Sequence, residues 1–183
     1  MAISDGMGSG EEACRESTMV VEMLEELLEA GFPAKTAIEI MNTALVIGRE
    51  EVRFSTVDIC LFDLYSGSCE FVKAGASTTF IKQAEGVEKI TSATLPIGVL
   101  KDIEIESVER ELSSGDFVIM VTDGVMDALP AKEQDTLMTE FIREANTVNP
   151  KELAHYLLGK VLEWSGEKPT DDMTIMAVGL WKL

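Results

Sequence analysis

The chain has 183 residues, 46% of them hydrophobic, and a formal net charge of −18 from 33 acidic against 15 basic residues. That balance argues against a nucleic-acid partner, whose phosphates bind clusters of Lys and Arg, and suits cations better. It contains no unbroken apolar run of the roughly 18 residues a membrane-spanning helix needs, so this stretch makes no membrane contact of its own.

The opening M-A-I-S-D-G lacks the basic and apolar regions of a signal peptide. Its two apolar residues read as too few for a strand and run straight into a loop, as though the chain began partway through a domain whose leading strands are missing. Residues 11–30 then predict a helix, with Met19, Val20, Met23, Leu24, Leu27 and Leu28 at helical spacing and Gly31 closing its end. Pro33 suits the start of a second helix, running to about Gly48 through Ala37, Ile38, Met41, Ala44 and Leu45.

The pattern changes at Phe54. T-V-D-I-C-L-F-D-L predicts a strand, Y-S-G-S its turn, and C-E-F-V-K-A-G the returning partner. T-T-F-I-K reads as a third strand ending in the turn A-E-G. I-E-I-E-S-V-E-R-E-L, alternating from Ile103 to Val108, predicts another strand with one wet face. After the turn S-S-G-D, the run F-V-I-M-V-T is apolar enough to be central.

Helices follow over roughly 133–145 and 150–164, the second capped by Asn149 ahead of Pro150. His155 is the only histidine and sits among Leu153, Tyr156, Leu157 and Leu158, so it reads as an ordinary helix residue. Its solitude removes any multi-histidine metal site and argues against a Ser-His-Asp triad. Loop G-E-K-P-T then leads to a last strand, M-T-I-M-A-V-G-L. Strands joined by short turns, with helices in two blocks, predict an α+β fold of antiparallel sheets with packed helices, all of 1–183 forming one domain. Cys14, Cys60 and Cys69 form no C-x-x-C pair and fit a reducing cytoplasm better than a disulfide framework or zinc site.

Three segments share one design, an Asp in a loop at the end of an apolar strand: Asp5 in S-D-G-M-G, Asp123 in V-T-D-G-V-M-D and Asp171 in P-T-D-D-M-T. Carboxylates brought together repel one another, and a hard divalent cation relieves that repulsion. An Asp-Gly pair taken alone is more often a turn. G-M-G-S-G could pass for a phosphate loop, but it lacks the Lys, and Glu11 with Glu12 would repel phosphate there.

The order S-D-G-M-G, T-V-D, L-P-I-G, T-D-G-V and D-D-M-T resembles the PPM (PP2C-like) metal-dependent protein phosphatases along essentially the whole chain, and among them the SpoIIE phosphatase domain. The resemblance implies two antiparallel sheets sandwiched between helices, with a centre of two Mn²⁺ or Mg²⁺ ions. It implies that Asp5 bridges the ions, that the Gly6 carbonyl ligates one, and that Asp123 and Asp171 hold the other. Gly124 would supply the turn, Asp172 would support the site, and Asp127 stands between a supporting role and a plain surface position.

The implied reaction is hydrolysis of phosphoserine or phosphothreonine by an activated water attacking in line, with metal-bound water rather than His155 as proton donor. An Asp nucleophile forming a phosphoenzyme is the competing chemistry, but leaves D-D-M-T unexplained. The resemblance further implies a phosphorylated anti-sigma-factor antagonist as partner, release of a sporulation sigma factor, and a switch and homodimer contact in the helices of 11–48. It implies a cytoplasmic domain whose full-length protein is membrane-anchored elsewhere. The other class of reading is a catalytically silent binding or dimerisation module of the same fold.

Overall fold

The structure, a computed structural model, describes residues 1–6, 8, 10–47, 54–166 and 171–181. In chain order its first elements are β1 (Ala2–Gly6), α1 (Glu11–Glu29), α2 (Ala34–Ile47), β2 (Ser55–Phe62), β3 (Ser68–Ala74), β4 (Thr79–Gln83) and β5 (Gly86–Ile90). Then come β6 (Ser107–Glu111), β7 (Phe117–Val121), α3 (Asp123–Asp127), α4 (Gln134–Glu144), α5 (Pro150–Ser165) and β8 (Ile175–Gly179). They form two compact units, residues 1–76 with 92–110, and residues 77–91 with 111–183.

The first unit carries a sheet in the order β1-β2-β3-β6, with β1–β2 and β2–β3 antiparallel. Side chains alternate across a strand, and the register Val57↔Ala74 and Ile59↔Val72 gathers four apolar residues on one face. Against them pack Val20 and Leu24 of α1 and Ala37, Ile38, Met41 and Leu45 of α2. Helix α1 ends as Gly31 enters φ 89°, where its N–H donates to the Leu28 carbonyl and that of Phe32 to the Leu27 carbonyl.

The opposite face of β2 and β3 carries Asp58 and Lys73, paired in register and 2% and 3% exposed, with Lys73 Nζ donating to Asp58 at 2.5 Å. Burial pushes the Lys73 ammonium below its ordinary pKa, and the Asp58 charge opposes that shift. Cys60 and Cys69 are buried free thiols with Sγ atoms 2.7 Å apart. Their mutual hydrogen bond, reinforced by burial, raises the Cys60 pKa.

The second unit holds an antiparallel sheet in the order β5-β4-β7-β8. Every residue of β7 is buried, as its apolar run predicts for a central strand. Met138, Phe141 and Ile142 of α4 and Leu153, Leu157 and Val161 of α5 pack with Phe80, Ile119 and Val121. Asn149 caps α5, its Oδ1 accepting from the Lys151 N–H, and Pro150 takes the first turn.

Four features depart from the sequence reading. Residues 2–6 do form a strand, because β2 supplies a full antiparallel ladder from Ala2↔Ile59 to Gly6↔Ser55. The strand expected within 103–112 begins only at Ser107; Ile105 is fully buried and Ile103 packs against the α1–α2 core, so their alternation records burial without a ladder. Strand β5 and the five-residue α3 were not foreseen. Gly48, the predicted end of the second helix, and residues 167–170 of the G-E-K-P-T loop lie outside the described residues.

Candidate metal centre

Asp5 stands near the end of β1, opposite Thr56, and its peptide is gripped on both sides. Its N–H donates to Thr56 Oγ1 at 3.0 Å, and its carbonyl accepts from Ser55 Oγ at 2.7 Å. Gly6 is buried, and a Cβ there would lie 2.5 Å from the Ala13 carbonyl oxygen. The strand end thus abuts the first turns of α1 so closely that only glycine fits. Met7 and Ser9 of the S-D-G-M-G-S-G run lie outside the described residues.

In the other unit the ends of β7 and β8 are stitched together by Thr122. Its N–H donates to the Thr174 carbonyl at 3.1 Å, and its Oγ1 accepts from the Thr174 N–H at 3.0 Å and donates to the Asp172 carbonyl at 3.3 Å. Asp123 opens α3 as an exposed residue, with Oδ1 accepting from the Gly124 N–H at 2.9 Å. Asp171 is exposed and accepts from the Asp172 N–H at 2.8 Å in the same way.

Gly124 is buried between them: a Cβ would meet the Asp172 carbonyl oxygen at 2.3 Å and Asp171 Cβ at 3.2 Å. Asp127 is exposed and accepts from Gln134 Nε2 at 3.2 Å, which ties α3 to α4. His155 is exposed on α5.

The structure therefore brings Asp123, Gly124, Asp171 and Asp172 into one neighbourhood, while Asp5 and Gly6 belong to the other unit. Among the described residues no three His, Cys, Asp or Glu side chains are grouped tightly enough to hold a metal. The donor chemistry nonetheless fits Mg²⁺ or Mn²⁺, being all carboxylate and main-chain oxygen. The close packing at Gly6 and Gly124 fixes the peptides that carry those donors.

Ser55, Thr56 and Thr122, which hold these peptides, escaped the sequence reading. Their signal was a hydroxyl residue within S-T-V-D and T-D-G.

Gly124→Ala is expected to push the 171–172 peptide away, since backbone cannot yield as a flexible side chain can. The cost should be about 1–3 kcal/mol, the usual range for overpacking. Chemical denaturation measures the stability loss and Mn²⁺ calorimetry the accompanying loss of affinity; an unaltered variant would contradict the close contact.

The stage II sporulation protein E (SpoIIE) family profile matches residues 1–180. The chain is 35% identical to stage II sporulation protein E of Bacillus subtilis (strain 168) over 97% of its own length and 22% of that protein's, so it spans less than a quarter of this relative. It also matches the structure of the PP2C phosphatase domain and a fragment of the regulatory domain of SpoIIE from Bacillus subtilis. That match has a TM-score of 0.89 at 34% identity, covering 98% of this chain and 53% of that one. The Mn-presoaked phosphatase domain of the same protein gives 0.68 at 30% identity, covering 97% and 75%.

Proposed function

We propose that this chain, which belongs to the stage II sporulation protein E (SpoIIE) family and is a PP2C-like phosphatase domain, hydrolyses phosphoserine or phosphothreonine on a partner protein with two divalent cations. The observation that carries this reading is the packing of Gly124 against the Asp171–Asp172 peptide, which sets two exposed carboxylate loops side by side at adjacent strand ends.

Asp123 and Asp171 would hold one ion, and Asp5 with the Gly6 carbonyl the other. When bound, the ions supply charge neutralisation of the phosphate and acidification of a water. The chain's own part is positioning. Thr122 locks the two strand ends, and the Gly124 and Asp172 N–H groups fix one oxygen of Asp123 and of Asp171. Ser55 and Thr56 immobilise the Asp5 peptide.

The Mn-presoaked relative supports manganese as the first ion to try. A phosphorylated anti-sigma-factor antagonist in the cytoplasm is the proposed substrate, its dephosphorylation releasing a sporulation sigma factor. A homodimer through α1 and α2 is the proposed assembly, a reading supported by the exposure of Ile40 and Ile47 on α2. No helix among the described residues is long and apolar enough to cross a membrane, so any anchor of a longer protein would lie outside them.

The test is Mn²⁺-stimulated release of phosphate from a serine phosphopeptide and from p-nitrophenyl phosphate, abolished by chelator. Absence of any metal-stimulated hydrolysis would leave a binding or dimerisation module in place of an enzyme.

A further inference from the structure

Asn42 is a polar residue in the apolar face of α2, between Ile38, Met41 and Leu45, and it is 1% exposed. Asn is a poor helix former, and burying an amide costs free energy unless its hydrogen bonds are met. Here they are met by one short loop. Asn42 Oδ1 accepts from the Gly98 N–H at 2.8 Å, and Nδ2 donates to the Leu100 and Lys101 carbonyls at 3.0 and 3.1 Å.

A leucine would fill such a site in a helix that needed only packing. An amide using both ends on three peptide groups of one loop instead fixes where residues 98–101 stand relative to α2.

That loop leads to Asp5 inside the same unit. Ile97, next to Gly98, exchanges both backbone hydrogen bonds with Ser55 at 3.0 Å each. Ser55 is fully buried, lies 2.9 Å from Ser4 Oγ, and donates through Oγ to the Asp5 carbonyl at 2.7 Å. A continuous path of hydrogen-bonded groups therefore runs from the middle of α2 to the peptide of Asp5.

We propose that Asn42 is a positioning residue for the Asp5 end of the metal centre: through Gly98, Ile97 and Ser55 it holds the Asp5 peptide in place, and its loss weakens binding of the ion that Asp5 holds. This rests on the reading of Asp5 as a metal-holding residue. It is separate from the direct contact of α1 with Gly6, because it reaches the same strand end from the opposite side, through β2. Residues that support a metal's ligands typically contribute about 10–100-fold in affinity, so the effect is measurable.

The experiment titrates Mn²⁺ calorimetrically into the wild-type chain, Asn42→Ala, Ser55→Ala and their double variant, with thermal melts in chelator alongside. Val72→Ala, a buried β3 residue on the α1–α2 face, serves as a control for general loss of stability. Asn42→Ala should bind about tenfold more weakly, at the low end of that range. Ser55→Ala should behave alike, and the double variant should bind little more weakly than either alone, since all interrupt one path. Val72→Ala should bind as the wild type does despite a lowered melting temperature.

If Asn42→Ala does not fold, Asn42→Ser takes its place in the same comparison. Wild-type affinity in the Asn42 variant, or fully additive losses with Ser55→Ala, overturns the proposal. Wild-type Mn²⁺ binding that ignores Asp5→Asn instead overturns the reading of the site, and this inference with it.

Discussion

Replacing Asp123 or Asp171 with Asn is expected to remove Mn²⁺-stimulated hydrolysis while leaving metal-free stability unchanged or slightly raised. Each carboxylate is exposed and, among the described residues, accepts from the next residue's N–H, which an Asn Oδ1 can also accept. Little of the fold therefore depends on the charge. The two loops meet across Gly124, so removing one negative charge relieves repulsion between them in the absence of a cation. With a cation, the same substitution deletes a donor outright. The loss should exceed the roughly 10–100-fold typical of a supporting residue. Activity assays paired with melts in chelator decide the matter; a large drop in metal-free melting temperature would mean that the carboxylate serves the fold.

Lys73→Met should cost stability most. Asp58 and Lys73 lie across β2 and β3, almost wholly buried, with Lys73 Nζ donating to the Asp58 carboxylate. Removing one partner of a buried pair typically costs about 3–5 kcal/mol, through the charge left behind. Asp58→Leu combined with Lys73→Met removes both charges and should recover much of that loss, since apolar replacement of a buried pair is often neutral or better. Urea unfolding of the two single variants and the double one measures this. Equal losses in all three would place the cost in packing rather than in charge.

Much of the fold was legible in the sequence because the informative signals are local. The helical spacing of Val20, Leu24, Ile38, Met41 and Leu45 and the all-apolar 117–121 each follow from the burial of one face or of a whole strand. The misses share a cause. Residues 2–6 become a strand through a partner fifty residues away, and Ile105 is buried and Ile103 partly buried without a ladder, so neither outcome is written in its own segment. For the site, T-D-G-V and D-D-M-T pointed to Asp123 and Asp171 among the chain's many acidic residues, but not to Thr122, which stitches their strand ends together. Asn42 was equally silent, because an isolated Asn in a helical pattern says nothing about the loop it holds.

The cysteines have a practical consequence. Cys60 and Cys69 are sealed in the sheet and their thiols face each other, whereas Cys14 is exposed on the first turn of α1. A maleimide dye in native buffer therefore has one site to attach to without any cysteine being engineered away. That site adjoins Ala13, whose carbonyl touches Gly6. A fluorophore there sits beside the strand end that carries Asp5, where its emission would report an ion bound at the proposed site.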